Sequence, residues 1–418
     1  MNVTGIIAEY NPFHNGHLYQ IQQARKNGDE YIIVVMSGDF LQRGTPAVFD
    51  KWTRTRMALM CGADLVIELP SVFATASAQY FARGGISILD KLGCVDTISF
   101  GCESDDITMI QTLSSYLSEE PQEYKETLQK YLREGNSFPR ARELALNECL
   151  SPEAAAFACS PNNILALEYC IALLERDSSM NILPIKREGN GYHDTGLVKE
   201  TFASATAIRD IMEKNIFSID NHDLSLSVPA ELKEYIPESV YSIINEKKND
   251  YVTQNDFSTL LHYKLLTEGN ISLTKYADVS EDLSDKIRKN LRHYCDYNSF
   301  CELLKSKELT YSRINRALTH ILLNVTQEMY ESTKKNDYAG YARILGFQKE
   351  ASPLLSEIGK NTTIPLISKL ANASNLLSED TLKYLEHDIL CSHIYESIIS
   401  AKTGKSIRNE FQREIIRL

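Results

Sequence analysis

Residues 13–17 read Phe-His-Asn-Gly-His, two histidines flanking a glycine, directly after the apolar run VTGIIA (3–8) and the short loop EYNP. At a helix start, such a segment meets a phosphate chain with unpaired backbone N–H groups and the positive end of the helix dipole. His14 and His17 can both reach that anion, and Gly16, without a Cβ, leaves room for a base or phosphate. The competing reading is a helix cap plus one solvated imidazole. Other reactive groups follow. In SGDFLQRG (37–44), Asp39 can orient substrate or metal, and Gln42 and Arg43 can meet an anion or RNA. Lys51 shares a helical face with Arg54 and Thr55 by i,i+3 and i,i+4 spacing, which predicts a small cationic face toward the site, against a solvated helix face as the alternative. Gly101 ends VDTISFG, and Asn162 offers a two-way amide for base or ribose. KREGNGYHD carries Arg187 and Glu188 in a glycine-rich loop, while adjacent His193 and Asp194 make no metal site by spacing alone.

The elements that must position these groups are legible as alternation. Runs at 3–8, 31–36, 65–69 and 95–100 have the length and β-branched content of buried strands, separated by stretches long enough for crossover helices. A parallel α/β sheet places its ligand beyond the C-terminal strand ends, so 8–17, 37–43, 69–70 and 101–103 are expected to converge. A helical stretch is expected from about 105 to 131, further helices at 135–146 and 160–175, and a strand at 181–189. The polar, proline-containing stretch 217–240 reads as a boundary, and the remainder as mostly helices.

His14-Asn15-Gly16-His17 resembles the HxGH signature of the nucleotidyltransferase superfamily, whose members attack the α-phosphate of a nucleoside triphosphate and release pyrophosphate. Its second signature, a Ser/Thr turn ending in Ile-Arg, is matched by Ser204-Ala205-Thr206-Ala207-Ile208-Arg209, with Ala205 where a second hydroxyl is common. Plain N-capping by Ser204 and Thr206 is the alternative there. GIIAEYNPFHNGHLYQI, VVMSGDFLQRGTPAVFDKWTRTRMAL, GADLVIELP, ISFGCES, SPNNILALEY, KREGNGYHD and YSRINRALTHILLNV together are similar to the tRNA(Met) cytidine acetate ligase family over nearly the whole chain. The resemblance implies a Rossmann-like parallel-sheet nucleotidyltransferase domain at 1–230, with helical additions near 105–175, and a mostly helical, tRNA-binding region at 231–418. It implies that ATP and acetate form acetyl-adenylate, whose acetyl group passes to N4 of the wobble cytidine (position 34) of elongator tRNA(Met).

Ile7, Ala8, Glu9, Tyr10, Asn11, Pro12, Phe13, His14, Asn15, Gly16 and His17 are the expected nucleotide contacts, with Gly101, Asn162, Arg187, Glu188, Ser204 and Thr206. His14, His17, Lys51 and Arg209 are the expected catalytic groups, and Asp39, Arg43, Lys289, Arg292, Arg313 and Arg316 the expected substrate contacts. Mg²⁺ is expected to complete the charge compensation, with no protein metal site assigned. Cysteine catalysis through Cys61 or Cys102 has no adjacent base to support it.

With 44 Lys+Arg against 56 Asp+Glu, the net charge of −12 argues against a uniformly basic nucleic-acid binder. RNA binding therefore has to be local. Between Lys286 and Arg316, eight cations face three acids, interleaved with Tyr294, Tyr297, Phe300 and Tyr311 as stacking candidates; 401–418 carries a further balance of +3. Solvated faces of a helical bundle are the alternative. The 418 residues carry no apolar run of 18 and no basic-then-apolar leader, and nine cysteines without a CxxC pair fit a reduced cytoplasmic setting. A small-molecule adenylyltransferase and a non-catalytic nucleotide-dependent RNA-binding protein are the two other functions this sequence admits. No feature specifies an oligomeric state.

Overall fold

The apolar runs form β1 (Val3–Ala8), β2 (Tyr31–Ser37), β3 (Leu65–Leu69) and β4 (Thr97–Cys102), joined by β5 (Asn181–Lys186); all five are parallel, in the order β5-β4-β1-β2-β3. The computed structural model describes residues 1–187, 203–216, 228–268, 271–306, 308–406 and 409–418. Because β1 has β2 on one side and β4 on the other, the winding reverses there, and a crevice opens at the C-terminal ends of β1 and β4. The Rossmann-like sheet is buried on both faces. Along β2, Ile32, Val34 and Met36 enter the core beneath α1 (Asn15–Lys26) and α2 (Lys51–Met60). Ile33 and Val35 enter the opposite core, which also holds Phe81, Ala82, Ile86 and Leu89 of α4 (Ala78–Lys91), the helix that follows the one-turn α3 (Ser71–Ala74). This is the period-two split that a doubly covered strand requires.

Helices Ile107–Glu119 and Pro152–Cys159 pack on helix Pro161–Glu175, and with helices Gln122–Arg133 and Phe138–Cys149 they enclose a small core of Leu113, Tyr124, Leu146, Ala155 and Leu167. The single helix expected over 105–131 is two, Ile107–Glu119 and Gln122–Arg133. Glu120 takes a left-handed conformation at φ +46°, and Pro121, which has no N–H to donate, starts the next helix.

The C-terminal region is mostly helical, as its composition suggests, yet it returns to the sheet. β6 (Ala342–Phe347) pairs antiparallel with β3, and the two-residue strands β7 (Leu366–Ile367) and β8 (Ile416–Arg417) lie parallel on its other edge. The stretches that the sequence separates at 230/231 thus share one sheet. They also share a buried charge cluster. Lys51 Nζ lies 2.7 Å from Glu68 Oε1 and 3.1 Å from Glu410 Oε2, and Arg343 reaches the same two carboxylates at 3.0 and 2.5 Å. Two cations and two anions cancel out of water, which is what makes such burial tolerable. No single helix among the described residues is long and apolar enough to cross a membrane.

Candidate active site

The crevice beyond β1 and β4 encloses about 410 Å³. Ile7, Ala8, Glu9, Tyr10 and Asn11 line it from β1 and its loop, and His14, Gly16 and His17 from the start of α1. Arg43 comes from the loop after β2, Gly101 from β4, Asn162 from helix Pro161–Glu175, Arg187 from the end of β5, and Ser204, Thr206 and Arg209 from the start of helix Ala205–Ile216. The two signatures, some 190 residues apart in sequence, face one space.

The histidines cap their own helix and still present polar edges. His14 is the N-cap: its Nδ1 accepts the Gly16 amide at 3.1 Å, while Nδ1 of His17 accepts the His14 amide at 3.2 Å. An imidazole whose Nδ1 accepts carries its proton on Nε2, so the hydrogen-bond network assigns an Nε2–H donor to each ring. The rings stack with centroids 3.6 Å apart. Burial, with Arg187 and Arg209 nearby, pulls His14 down to about 3; burial, His14 and Arg187 hold His17 well below the usual imidazole range. Both are neutral donors at pH 7. A neutral pair avoids like-charge repulsion at this separation and still offers two N–H groups to phosphate.

Cationic charge comes instead from the arginines. Arg209 donates from Nη1 to the Asn11 carbonyl at 2.8 Å and from Nη2 to Thr206 Oγ1 at 3.0 Å, locking the second signature onto the loop of the first. Ser204 Oγ accepts the Ala207 amide at 3.1 Å, so it caps the helix whose start lines the cleft. Arg187 Nη1 donates to Asn162 Oδ1 at 2.7 Å, and Asn162 Nδ2 donates to Glu103 Oε1 at 3.2 Å, which orients that amide. A Cβ on Gly101 would stand 3.6 Å from Arg187 Cγ, an ordinary contact, so protein packing does not demand the glycine.

Several expected contacts lie elsewhere. Pro12 and Phe13 do not line the cleft; Phe13 is buried with its ring edge-on to Tyr10 at 4.7 Å. Asn15 is turned to the carbonyls of Glu234 and Tyr235, pinning α1 to that segment. Lys51 is a correction: it has no exposed surface and spends its ammonium on Glu68, Glu410 and Ser392. Helical spacing gave the face but not its direction, and that face points into the interior. Its neighbour Arg54 is buried too, donating to the carbonyls of Phe49, Glu9, Ser37 and Gly38 and so clamping the ends of β1 and β2 together. Asp39 is likewise corrected, because its carboxylate accepts the Lys51 amide at 2.7 Å below the surface and lines no part of the cleft. Glu188, His193 and Asp194 lie outside the described residues.

Lys289, Arg292 and Arg313 are exposed on the helical region, away from the cleft lining, and Arg316 is half-buried with Nε 2.8 Å from Asp278. The stacking candidates are mostly spent. Tyr297 and Phe300 are core residues, and Tyr294 stacks on His262 at 4.5 Å. The +3 of the C-terminal segment is offset by acids from outside it: Lys402 meets Asp256, Lys405 meets Asp250, and Arg413 meets Glu396. Cys61 and Cys102 do not line the cleft, and burial with Asp105 and Glu103 nearby pushes the Cys102 thiol up to about 12. No group of three or more His, Cys, Asp or Glu able to hold a metal occurs among the described residues. Glu9 is the carboxylate among the described lining residues, a set that fits a cation carried mainly on nucleotide phosphates.

Tyr19, Gln20, Leu41, Thr45, Phe81, Phe100 and Tyr169 also line the cleft and were not singled out from sequence. Gln20 follows His17 by three residues on one helix face, a usable signal; its Nε2 donates to the Ser99 carbonyl at 3.0 Å. The aromatic residues carry no mark that separates them from core. The loop after β2 is gripped from behind by helix Tyr311–Leu323, where Asn315 Nδ2 donates to the Arg43 carbonyl at 2.7 Å and Thr319 Oγ1 to the Gly44 carbonyl at 2.5 Å.

A family model described as HIGH Nucleotidyl Transferase matches residues 1–410. The tRNA(Met) cytidine acetate ligase of Thermoanaerobacter sp. (strain X514) is 41% identical over 397 residues, 94% of this chain and 95% of the relative. That of Clostridium perfringens (strain ATCC 13124) is 39% identical over 404 residues, again 94% and 95%. Crystal structures of Thermotoga maritima TmcAL superpose over 100% of both chains at 32% identity, with TM-scores of 0.91 for an apo form and 0.89 for a form bound with alpha-thio ATP.

Proposed function

Because this chain belongs to the tRNA(Met) cytidine acetate ligase family, within the HIGH nucleotidyltransferases, we propose that it activates acetate with ATP and acetylates N4 of the wobble cytidine of elongator tRNA(Met). An ATP-dependent nucleotidyltransferase is the shared activity of that lineage. The observation that carries the reading onto this chain is the stacked, neutral histidine pair with its Nε2–H groups over a cleft walled by Arg187 and Arg209. Attack of an acetate oxygen on the α-phosphorus builds negative charge on the equatorial oxygens and then on pyrophosphate. His14 and His17 donate to the former, and Arg209 with the start of its helix meets the distal phosphates. Both are fixed before substrate arrives, His14 and His17 by the reciprocal cap and Arg209 by the Asn11 carbonyl, so little reorganisation opposes the step. Mg²⁺, when bound on the triphosphate, adds charge neutralisation.

The mixed anhydride then needs only an amine held in line with its acyl carbon. Lys289, Arg292 and Arg313 are the proposed RNA contacts, exposed on the region whose helix Tyr311–Leu323 grips the cleft loop. All nine cysteines are free thiols, which supports placing the protein in the cytoplasm. The test is incubation with ATP, acetate and unmodified tRNA(Met), followed by nuclease digestion and mass spectrometry. N4-acetylcytidine at the wobble position is expected. Pyrophosphate release with a nucleotidylated small molecule and unchanged RNA would replace the reading with a small-molecule adenylyltransferase.

A further inference from the structure

Acetyl transfer to an amine leaves a proton to be placed, and the composition of the cleft restricts where it can go. Neither histidine can take it. Each Nδ1 lone pair is committed to a backbone N–H, and each Nε2 already carries a proton. Arg43, Lys186, Arg187 and Arg209 are cationic side chains, and no cysteine is among the described lining residues. The lining phenols are acids that hold their proton at pH 7 and so are no acceptors for another, and burial raises Tyr10 and Tyr169 further still. One carboxylate is left among the described residues that line the cleft: Glu9.

Its position is built from three sides. Glu9 follows β1 at the point where the winding reverses, and Arg54 Nη1 donates to its backbone carbonyl at 2.7 Å. Its Oε1 accepts the Gln42 amide at 2.9 Å. Gln42 belongs to the loop that helix Tyr311–Leu323 holds through Arg43 and Gly44, so the carboxylate stands on the side where the helical region adjoins the nucleotide cleft. One hydrogen bond orients the group without saturating it, and Oε2 accepts no bond from the described residues.

We propose that the Glu9 carboxylate is the proton acceptor for acetyl transfer, a catalytic residue that touches the attacking amine. This rests on the ligase reading above. The amine nitrogen forms a C–N bond to the acetyl carbon, the C–O bond to the adenylate breaks with its electron pair leaving on AMP, and the amine proton passes to Glu9 and then to water. The histidine Nε2–H groups stay on the phosphate and meet the charge that grows as AMP departs.

Glu9→Gln keeps the acceptor for the Gln42 amide and removes the capacity to take a proton. Two rates are compared with the parent: acetate-dependent ATP–pyrophosphate exchange, and single-turnover acetylation of tRNA(Met). The expected result is a transfer rate that falls about 100-fold or more beyond any fall in exchange. Hydroxylamine, a strong nucleophile that needs no such assistance, is expected to capture the acetyl group from the variant with at least a tenfold smaller deficit, by the same Brønsted reasoning. Equal losses in exchange and transfer would overturn the proposal and assign Glu9 to the nucleotide or its cation. Transfer within about threefold of the parent, against the 100-fold or more that a lost base costs, would overturn it outright. A parent protein that exchanges pyrophosphate but never acetylates tRNA refutes the ligase reading itself, an outcome that does not depend on Glu9.

Discussion

Replacing Lys51 by Met separates the two places this lysine can act, at the nucleotide or in the interior. Its ammonium contacts Glu68 at 2.7 Å, Glu410 at 3.1 Å and Ser392 Oγ at 2.7 Å, with no side-chain surface exposed. Burial and Arg343 disfavour its charge, but Glu410, Glu68 and Asp39 outweigh them and hold the lysine ionised. Methionine fills similar volume and leaves two carboxylates facing Arg343 alone, a net charge of −1 without water. Removing one member of a buried pair costs about 3–5 kcal/mol. In a chain of 418 residues, at roughly 1 °C per kcal/mol, that is a fall of about 3–6 °C in Tm. Pyrophosphate exchange at 25 °C is expected to stay near the parent rate, because Lys51 lines no part of the cleft. Adding Glu68→Gln restores charge balance against Arg343 and Glu410, and the double variant is expected to recover at least ~1.5 kcal/mol of the loss, a coupling within the range for contacting residues. Thermal melts and exchange assays on the three variants decide it. A Tm within about 1 °C of the parent, short of the roughly 3–6 °C expected, together with a large drop in exchange, would put Lys51 at the nucleotide and refute the buried-cluster reasoning.

Other outcomes follow from the same geometry. At Gly44, φ is +73° and an added Cβ would lie 2.6 Å from the backbone of Arg316, so Gly44→Ala is expected to displace the loop carrying Gln42 and Arg43. The loss is about 2 kcal/mol or more, with weaker ATP binding, checked by melts with and without ATP. His14, held near 3, binds fewer protons folded than unfolded below about pH 6.5, so stability falls on acidification; between pH 7 and 5 this one group contributes a loss of about 2 kcal/mol. Urea unfolding at the two pH values should show a smaller difference in His14→Asn, and an equal one would contradict the depressed imidazole. Replacing exposed Lys289 and Arg292 by Ala is expected to weaken tRNA acetylation and reduce its salt dependence by about one counterion per lost phosphate contact, with exchange retained. An unchanged salt slope would place the RNA elsewhere.

Much of the site was readable because some chemistry is written in local order. His14, Gly16 and His17 sit at a helix start whose apolar approach is visible in the chain, and Ser204 to Arg209 repeat that logic. Direction was not readable. Lys51 and Asp39 carry the residue types of a catalytic face, and only packing shows that Glu68, Glu410 and the Lys51 amide claim them. Tyr297 and Phe300 had the composition of an RNA platform but turn inward with Leu304 and Ile314, since an aromatic side chain in an amphipathic helix reads alike in core and at a ligand. β6 escapes a sequence reading because six residues with a single Ile resemble a helix fragment, and its partner β3 ends at Leu69, 273 residues before β6 begins at Ala342.

That late partner has a consequence for synthesis. β3 is complete at Leu69 but remains an open edge until β6 ends at Phe347, 278 residues later. At about 5–20 residues per second, the nascent sheet carries that edge for roughly 15–55 s. An unpaired, wholly buried-type strand exposed for so long is a template for wrong pairing. Ribosome-bound chains stalled before residue 342 are the species in which association between copies should first be detectable.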